Sequence, residues 1–100
     1  MNVIDVLVVR VYLAEGAGHL DEVLDCLRGA GVHGWTVYRG VAGYGQSGKV
    51  RAASLVDLSL DLPVTVEFFD TAATLDGLLG ELTRVAGAGH VVWWPAQTTG

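Results

Sequence analysis

The chain has 100 residues, of which 51% are hydrophobic and 17% charged, and its formal net charge is −5 at pH 7. This length predicts a single domain over residues 1–100. High hydrophobicity with little charge excludes an intrinsically disordered chain. Eleven acidic residues against six basic ones leave no basic face for a phosphate backbone, so we expect no nucleic-acid partner.

The cysteine content and the N-terminus predict the compartment. The only cysteine, Cys26, cannot form an internal disulfide and is typical of a reducing environment. The N-terminal segment lacks a basic start, and Asp5 interrupts its apolar run, so it does not resemble a signal peptide. No run of about 18 apolar residues is present to cross a bilayer. We therefore expect a cytoplasmic protein.

The first half of the chain predicts a strand, a helix and a second strand. β-Branched residues dominate Val3–Leu13 and indicate a long central strand. A helix follows and ends at Gly29 and Gly31, since its apolar residues recur at helical spacing: Leu20, Val23, Leu24 and Leu27. Trp35–Arg39 alternates as a second strand, with Thr36 and Tyr38 facing one side.

The middle of the chain is rich in glycine and differs from both halves. Residues from Gly40 to Ala53 predict a flexible loop, at about 40–53, without structure of its own. Pro63 then opens a third strand that runs to Phe69, because a proline fits the first position of a strand.

The last third predicts a helix and a fourth strand. Asp70 and Thr71 are typical N-cap residues for a helix that includes Gly77 and ends at Gly87. Val91–Trp94 then forms a short strand that Pro95 closes, with one indole on each sheet face. The tail, about 96–100, is expected to fray.

This order of elements predicts an α+β, ferredoxin-like βαββαβ sandwich with both helices on one face of the sheet and a long loop between strands 2 and 3. The strands are apolar on both sides, so the uncovered face would exceed the few hundred Å² usual for a monomer. We predict that copies associate through this face. The alternative is a monomer in which Leu55–Leu62 covers it.

Two glycine-containing segments are candidate ligand sites. Half of the six cations bracket the central glycines. This pattern indicates a site that binds an anion or an acidic partner surface. The candidate residues are Arg39, Gly40, Gly43, Gly45, Lys49 and Arg51. The alternative is a solvated hairpin loop. The G-x-x-x-x-G-K spacing from Gly43 is not a Walker loop, because Val50 replaces the required Ser or Thr.

The second segment, Gly87, Gly89 and His90, could offer backbone amides to an anion, although a cap and turn is the commoner meaning. The histidines His19, His33 and His90 lack metal-ligand spacing. We expect no metal site, an inert thiol at Cys26 and no catalytic constellation.

Three motifs carry a resemblance to a known family. They are G-x-T-V-x-R-G at Gly34–Gly40, G-Y-G at Gly43–Gly45 and D-L-S-x-D-L-P at Asp57–Pro63. With Val9–Glu15, they resemble the domain of unknown function 190 family, which belongs with the PII-like signalling proteins. The polar insertion that relatives carry after the first strand shrinks here to Gly16–His19.

The resemblance implies a trimer that binds adenine nucleotides in clefts between subunits. By position, the T-loop corresponds to Arg39–Ala53 and the B-loop to Gly87–His90, where only His90 remains of the basic residues of classical B-loops. The T-loop of PII proteins grips a target enzyme, channel or transporter. The association of family members with fluoride exporters implies a membrane-transport partner.

The leading hypothesis is thus a non-catalytic regulatory trimer that binds a small anionic ligand, with an adenine nucleotide as the candidate, and a partner protein through the 40–53 loop. One alternative is a small cofactor-free enzyme of ferredoxin-like fold, with an apolar pocket lined by His90 or Tyr38. Another is a structural assembly protein whose loop is ordered and indifferent to ligand.

Overall fold

The computed structural model describes residues 1–14, 18–44, 50–52 and 62–100. Its elements in chain order are β1 (Val3–Ala14), α1 (Leu20–Ala30), β2 (Thr36–Arg39), β3 (Ala42–Tyr44), β4 (Val50–Ala52), β5 (Pro63–Asp70), α2 (Leu78–Ala86) and β6 (Val91–Thr99). A four-stranded antiparallel sheet has the order β2-β5-β1-β6. The predicted ferredoxin-like fold is confirmed, with β1 in a central position.

The core lies between the two helices and one face of this sheet. Apolar side chains from both central strands meet apolar side chains of the helices, and all are buried: Val9, Val11, Leu13, Val64, Val66 and Phe68 from the strands, and Val23, Leu27, Leu78 and Leu82 from the helices. Removing this surface from water is the main term that stabilises the fold. The helical spacing read from the sequence therefore identifies the buried face of α1.

Helix α1 matches its prediction closely. It begins at Leu20 and ends at Ala30, and acidic residues fill its first turn while Arg28 lies in its last. These charges interact favourably with the helix dipole and stabilise α1. Gly31 is the C-cap, and its amide donates to the carbonyl of Arg28, whereas Gly29 lies inside the helix rather than ending it.

The predicted start of the second helix is wrong. The Thr71 hydroxyl accepts a hydrogen bond from the Thr74 amide at 3.3 Å, and this contact closes a separate turn. Gly77 follows with a φ of 77°, and α2 begins only at Leu78. A left-handed residue cannot continue a right-handed helix, so Gly77 separates the turn from α2 instead of lying within the helix.

The predicted end of the last strand is also wrong. β6 continues through Pro95 as far as Thr99, which pairs with Val3, so residues 96–99 belong to the sheet rather than to a frayed tail. β6 pairs with β1 on one side only. An edge strand tolerates a proline because one of its sides needs no ladder donor.

The glycine-rich middle segment contains structure that the sequence did not predict. β3 and β4 form an antiparallel pair in which Ala42 lies opposite Ala52 and Tyr44 opposite Val50. A Cβ atom at Gly43 would come within 2.9 Å of the Cγ of Pro63, so the hairpin packs against the start of β5 where no side chain would fit. Residues 45–49, the tip of the predicted loop, lie outside the described residues.

The face of the sheet away from the helices is open in the single chain. Six large side chains on it are 39–52% exposed: Ile4, Tyr12, Tyr38, Phe69, Val92 and Trp94. This is the surplus apolar face predicted from the sequence, and we call it the open face. Residues 55–61, which the alternative prediction placed over it, lie outside the described residues.

Candidate functional site

One of the predicted cations, Arg39, lies at an end of the four-stranded sheet. Arg39 ends β2 in register with Val64, and its side chain is exposed. The amide of Gly40 donates to the carbonyl of Pro63 at 2.7 Å, so the protein itself engages this amide. Gly43 lies in β3 opposite Arg51 in β4. The structure thus brings these backbone positions together, while Gly45 and Lys49 lie outside the described residues.

The turn Gly87–His90 lies between α2 and β6. The amide of Gly87 donates to Thr83 at 2.8 Å, and that of His90 donates to Gly87 at 3.2 Å. His90 Nδ1 also lies 2.9 Å from the carbonyl of Tyr12, to which it donates because a carbonyl only accepts. Internal hydrogen bonds thus occupy two amides of the turn and tie it to β1.

The two predicted loop sites share an end of the sheet but occupy opposite edges. Arg39 belongs to the edge strand β2, and the Gly87–His90 turn opens the other edge strand, β6. Three strand spacings separate the two edges, which is about 14 Å. One chain alone therefore does not place both segments around one small ligand.

A cavity that the sequence did not predict lies beside the start of β2. Its volume is about 670 Å³, and it is lined by Val8, His33, Gly34, Trp35, Thr36, Glu67, Phe68 and Phe69. This volume is within the range of small-molecule sites. The rings of Trp35 and Phe69 are both exposed and offer surfaces on which a planar ligand stacks.

His33, which lines this cavity, is held by the buried carboxylate of Asp70. The His33 amide and His33 Nδ1 lie 3.3 and 3.1 Å from the same oxygen, Oδ2 of Asp70, and the Thr71 amide donates to Oδ1 at 2.8 Å. Burial alone raises the pKa of Asp70, but these hydrogen bonds from His33 and Thr71 outweigh it and lower the pKa below its ordinary value. Asp70 is therefore ionised at neutral pH.

The open face carries an ion pair at its centre. Arg10 Nε donates to Glu67 Oε1 at 3.0 Å, and the Arg10 guanidinium lies 5.6 Å from the ring centroid of Trp94. Hydrogen bonds with Tyr12 and with Glu67 raise the pKa of Arg10. The sequence predicts the apolar character of this face but not this ion pair. One charged residue in each of two strands gives no sign that the two lie opposite each other.

The sequence also raised the questions of a reactive thiol, a metal site and a membrane-spanning segment. The Cys26 thiol is packed, as predicted, and donates to Glu81 Oε1 at 3.3 Å. Burial, and then this hydrogen bond, raise the pKa of Cys26, which makes it a poor nucleophile. Within the described parts of the chain, no three His, Cys, Asp or Glu side chains gather as a metal-binding group. Across the same residues, no helix has both the length and the apolar character to cross a bilayer.

Sequence comparison assigns the family. The model of the DUF190 family, described as "Uncharacterized ACR", matches residues 6–98. The chain belongs to the DUF190 family. It is also 34% identical over 83 residues to a UPF0166 protein of Methanocaldococcus jannaschii, an alignment that covers 78% of this chain and 76% of that one. The resemblance read from the sequence motifs is confirmed.

Solved structures place this DUF190 chain in the PII-like fold. CPII, a nitrogen regulatory PII-like protein from Thiomonas intermedia K12 bound to ADP, AMP and bicarbonate, superposes with a TM-score of 0.76 at 20% identity, covering 97% of this chain and 91% of that one. A protein of Thermus thermophilus described as PII-like superposes with a TM-score of 0.65 at 16% identity, covering 98% and 91%. At these identities the likeness shows the fold alone.

Proposed function

We propose that this DUF190 chain is a non-catalytic regulatory protein that binds an adenine nucleotide along the edge strand β2. The observation that carries the proposal is the content of this one strand. The aromatic cavity lies at its start beside Thr36, and the cation Arg39 lies at its end. Thr36 and Arg39 are three positions apart, about 10 Å along a strand. In a nucleoside diphosphate, the ribose and the first phosphate separate the ring from the terminal phosphate by a comparable length.

Each end of the strand suits a different part of such a ligand. The rings of Trp35 and Phe69 would stack on the base, and the cations Arg39, Lys49 and Arg51 would attract the phosphates. Arg39 shares the helix-side face of β2 with Val37, whereas Thr36 shares the open face. Because β2 is an edge strand, a ligand that lies along the edge reaches groups from both faces.

Assembly through the open face supplies the remaining part of the site. The exposed aromatic side chains of this face support association of three copies, the state that the resemblance to PII-like proteins implies. The Gly87–His90 turn lies too far from Arg39 in the same chain to share a nucleotide with it. In the trimer, we propose, the turn of a neighbouring copy approaches the phosphate end of β2.

The partner protein would bind through residues 40–53. A ligand held at the base of this segment, where Gly40 and Gly43 pack on Pro63, would favour one arrangement of the segment over another. A ligand shifts such an equilibrium only by its difference in affinity for the two arrangements. We propose that this shift changes how tightly the segment grips an enzyme or a membrane transporter.

The packing of the interior supports a regulatory role over the alternative of a cofactor-free enzyme. Such an enzyme would need a pocket between the sheet and the helices, but Leu27, Leu82 and their neighbours fill that space. Tyr38 lies on the open face opposite Thr65, and His90 lies in the turn before β6. Neither candidate residue faces the interior.

Calorimetric titration of the full chain with ADP and with adenosine tests the proposal. We expect ADP to bind, and Arg39→Ala to weaken ADP about tenfold while it leaves adenosine nearly unchanged, because only the phosphates meet the guanidinium. Arg84→Ala removes an exposed arginine from α2 and serves as the matched control. Absence of heat with ATP, ADP, AMP and cyclic AMP at millimolar concentration would contradict the proposal.

A further inference from the structure

The cavity beside β2 has a polar group in a fixed position at its rim. Asp70 is only 8% exposed, whereas the side chain of His33 is 88% exposed and lines the cavity. Both the amide and Nδ1 of His33 contact the same oxygen of Asp70. Two contacts from one residue fix the imidazole relative to its own backbone. The ring therefore has a set orientation beside Trp35 before any ligand arrives.

The carboxylate also determines which ring nitrogen carries the proton. An ionised carboxylate can only accept hydrogen bonds, so Nδ1 of His33 must be the donor in the contact with Asp70. A neutral imidazole holds one N–H, which leaves Nε2 with a lone pair. Nε2 is on the side of the ring away from Asp70. The rim thus presents one oriented hydrogen-bond acceptor next to two aromatic surfaces.

We propose that His33 is a specificity-determining residue of this cavity. Its Nε2 accepts a hydrogen bond from an amino group on a ring stacked against Trp35 or Phe69, so an aminopurine is preferred to a ketopurine. Asp70 is a positioning residue, because it acts only through His33. This inference rests on the proposed nucleotide site and adds what part of the base the site reads.

The charged residues near His33 and Trp35 are held in ion pairs. Glu67, which also lines the cavity, is engaged by Arg10 at 3.0 Å. Arg28 lies 6.0 Å from the ring centroid of Trp35, and its guanidinium is bonded to Asp25.

The test compares AMP with IMP, which carry an amino and a keto group at the same ring position. At about pH 8, we expect the full chain to bind AMP about tenfold more tightly than IMP, the cost of leaving one hydrogen-bonding group unpaired. His33→Ala should reduce this ratio to near one. His33→Gln, which offers both an acceptor and donors, should do the same with less risk to folding. His19→Ala is the control and should keep the ratio.

The outcomes separate this inference from the function on which it rests. Equal affinity of the unmodified chain for AMP and IMP, or an AMP preference that persists in both His33 variants, would overturn the role of His33 and leave nucleotide binding intact. Absence of binding by AMP, IMP and ADP alike would overturn both proposals.

Discussion

The two faces of the same sheet differ in a way that Phe68 and Phe69 make plain. These neighbours on β5 are the same residue type, but Phe68 is 2% exposed against the helices and Phe69 is 51% exposed on the open face. The helix side holds the chain together. The open side contributes little to a single chain and has surface left for a second copy. Stability and assembly are therefore separate properties of one strand.

The polar groups of the two faces differ as well. On the helix side, the one buried charged group in the described residues is Asp70, at the end of β5 where three donors reach it. On the open face, Arg10 and Glu67 form an ion pair among exposed aromatic rings. Such a pair would favour one alignment of neighbouring copies, because a misaligned contact would bury a charge without its partner.

The largest expected effect on the fold comes from the helix side. Phe68→Ala should lower the free energy of unfolding by about 3–5 kcal/mol, because it removes a buried ring and leaves a cavity. Phe69→Ala, its matched partner, should change the stability of the dissociated chain by less than about 1 kcal/mol. Urea unfolding at low protein concentration measures both. Equal losses for the two variants would contradict the division between the faces.

The open face should control association instead. Val92 lies opposite Arg10 on this face and is exposed in the single chain. Val92→Lys would place a second cation beside Arg10 in the contact between copies, so we expect dissociation at micromolar concentration in sedimentation velocity. Val41→Lys adds the same charge at a residue outside the sheet and should leave the assembly intact. Dissociation of both variants would show a general effect of charge.

Asp70 should give a moderate, pH-dependent effect. Its lowered pKa means that its contribution to stability is fully present above the ordinary value, about 3.9, and is lost as the pH falls through the lower pKa of the folded state. Asp70→Asn should cost about 1–3 kcal/mol at pH 7. As the pH falls, the free energy of unfolding of the variant should therefore decrease less than that of the unmodified chain, because the variant has no carboxylate at position 70 to protonate. Parallel profiles of unfolding free energy between pH 7 and pH 3 would contradict the assignment.

The smallest effect concerns Cys26 on the helix side. Its burial and raised pKa predict alkylation by iodoacetamide at about pH 8 that is at least tenfold slower in the folded chain than in urea. Mass spectrometry of timed samples measures both rates. Equal rates would mean that the contact between the Cys26 thiol and Glu81 opens readily in solution.

Local patterns in the sequence predicted the core better than the ends of the elements. The spacing of Leu20, Val23 and Leu27 marks the buried face of α1, because helical periodicity directly reflects burial. The start of α2 was mispredicted because capping residues at Asp70 and Thr71 signal a turn as well as a helix. The true break at Gly77 depends on a backbone angle that composition does not reveal.

The site was harder to predict because its parts are far apart in the sequence. His33 and Asp70 are 37 positions apart and meet only when the start of β2 comes beside the end of β5. The cavity likewise joins residues 33–36 to residues 67–69. The cations of the glycine-rich segment were visible in the sequence, but the aromatic cavity was not, since no spacing rule connects Trp35 with Phe69.

Sedimentation velocity of the unmodified chain at micromolar concentration tests the central claim most directly. The exposed apolar side chains of the open face predict association of copies, and the proposed site needs a turn from a neighbouring copy. We predict one species with three times the 10.5 kDa mass of the chain. A well-behaved 10.5 kDa particle under the same conditions would contradict both the assembly and the shared nucleotide site.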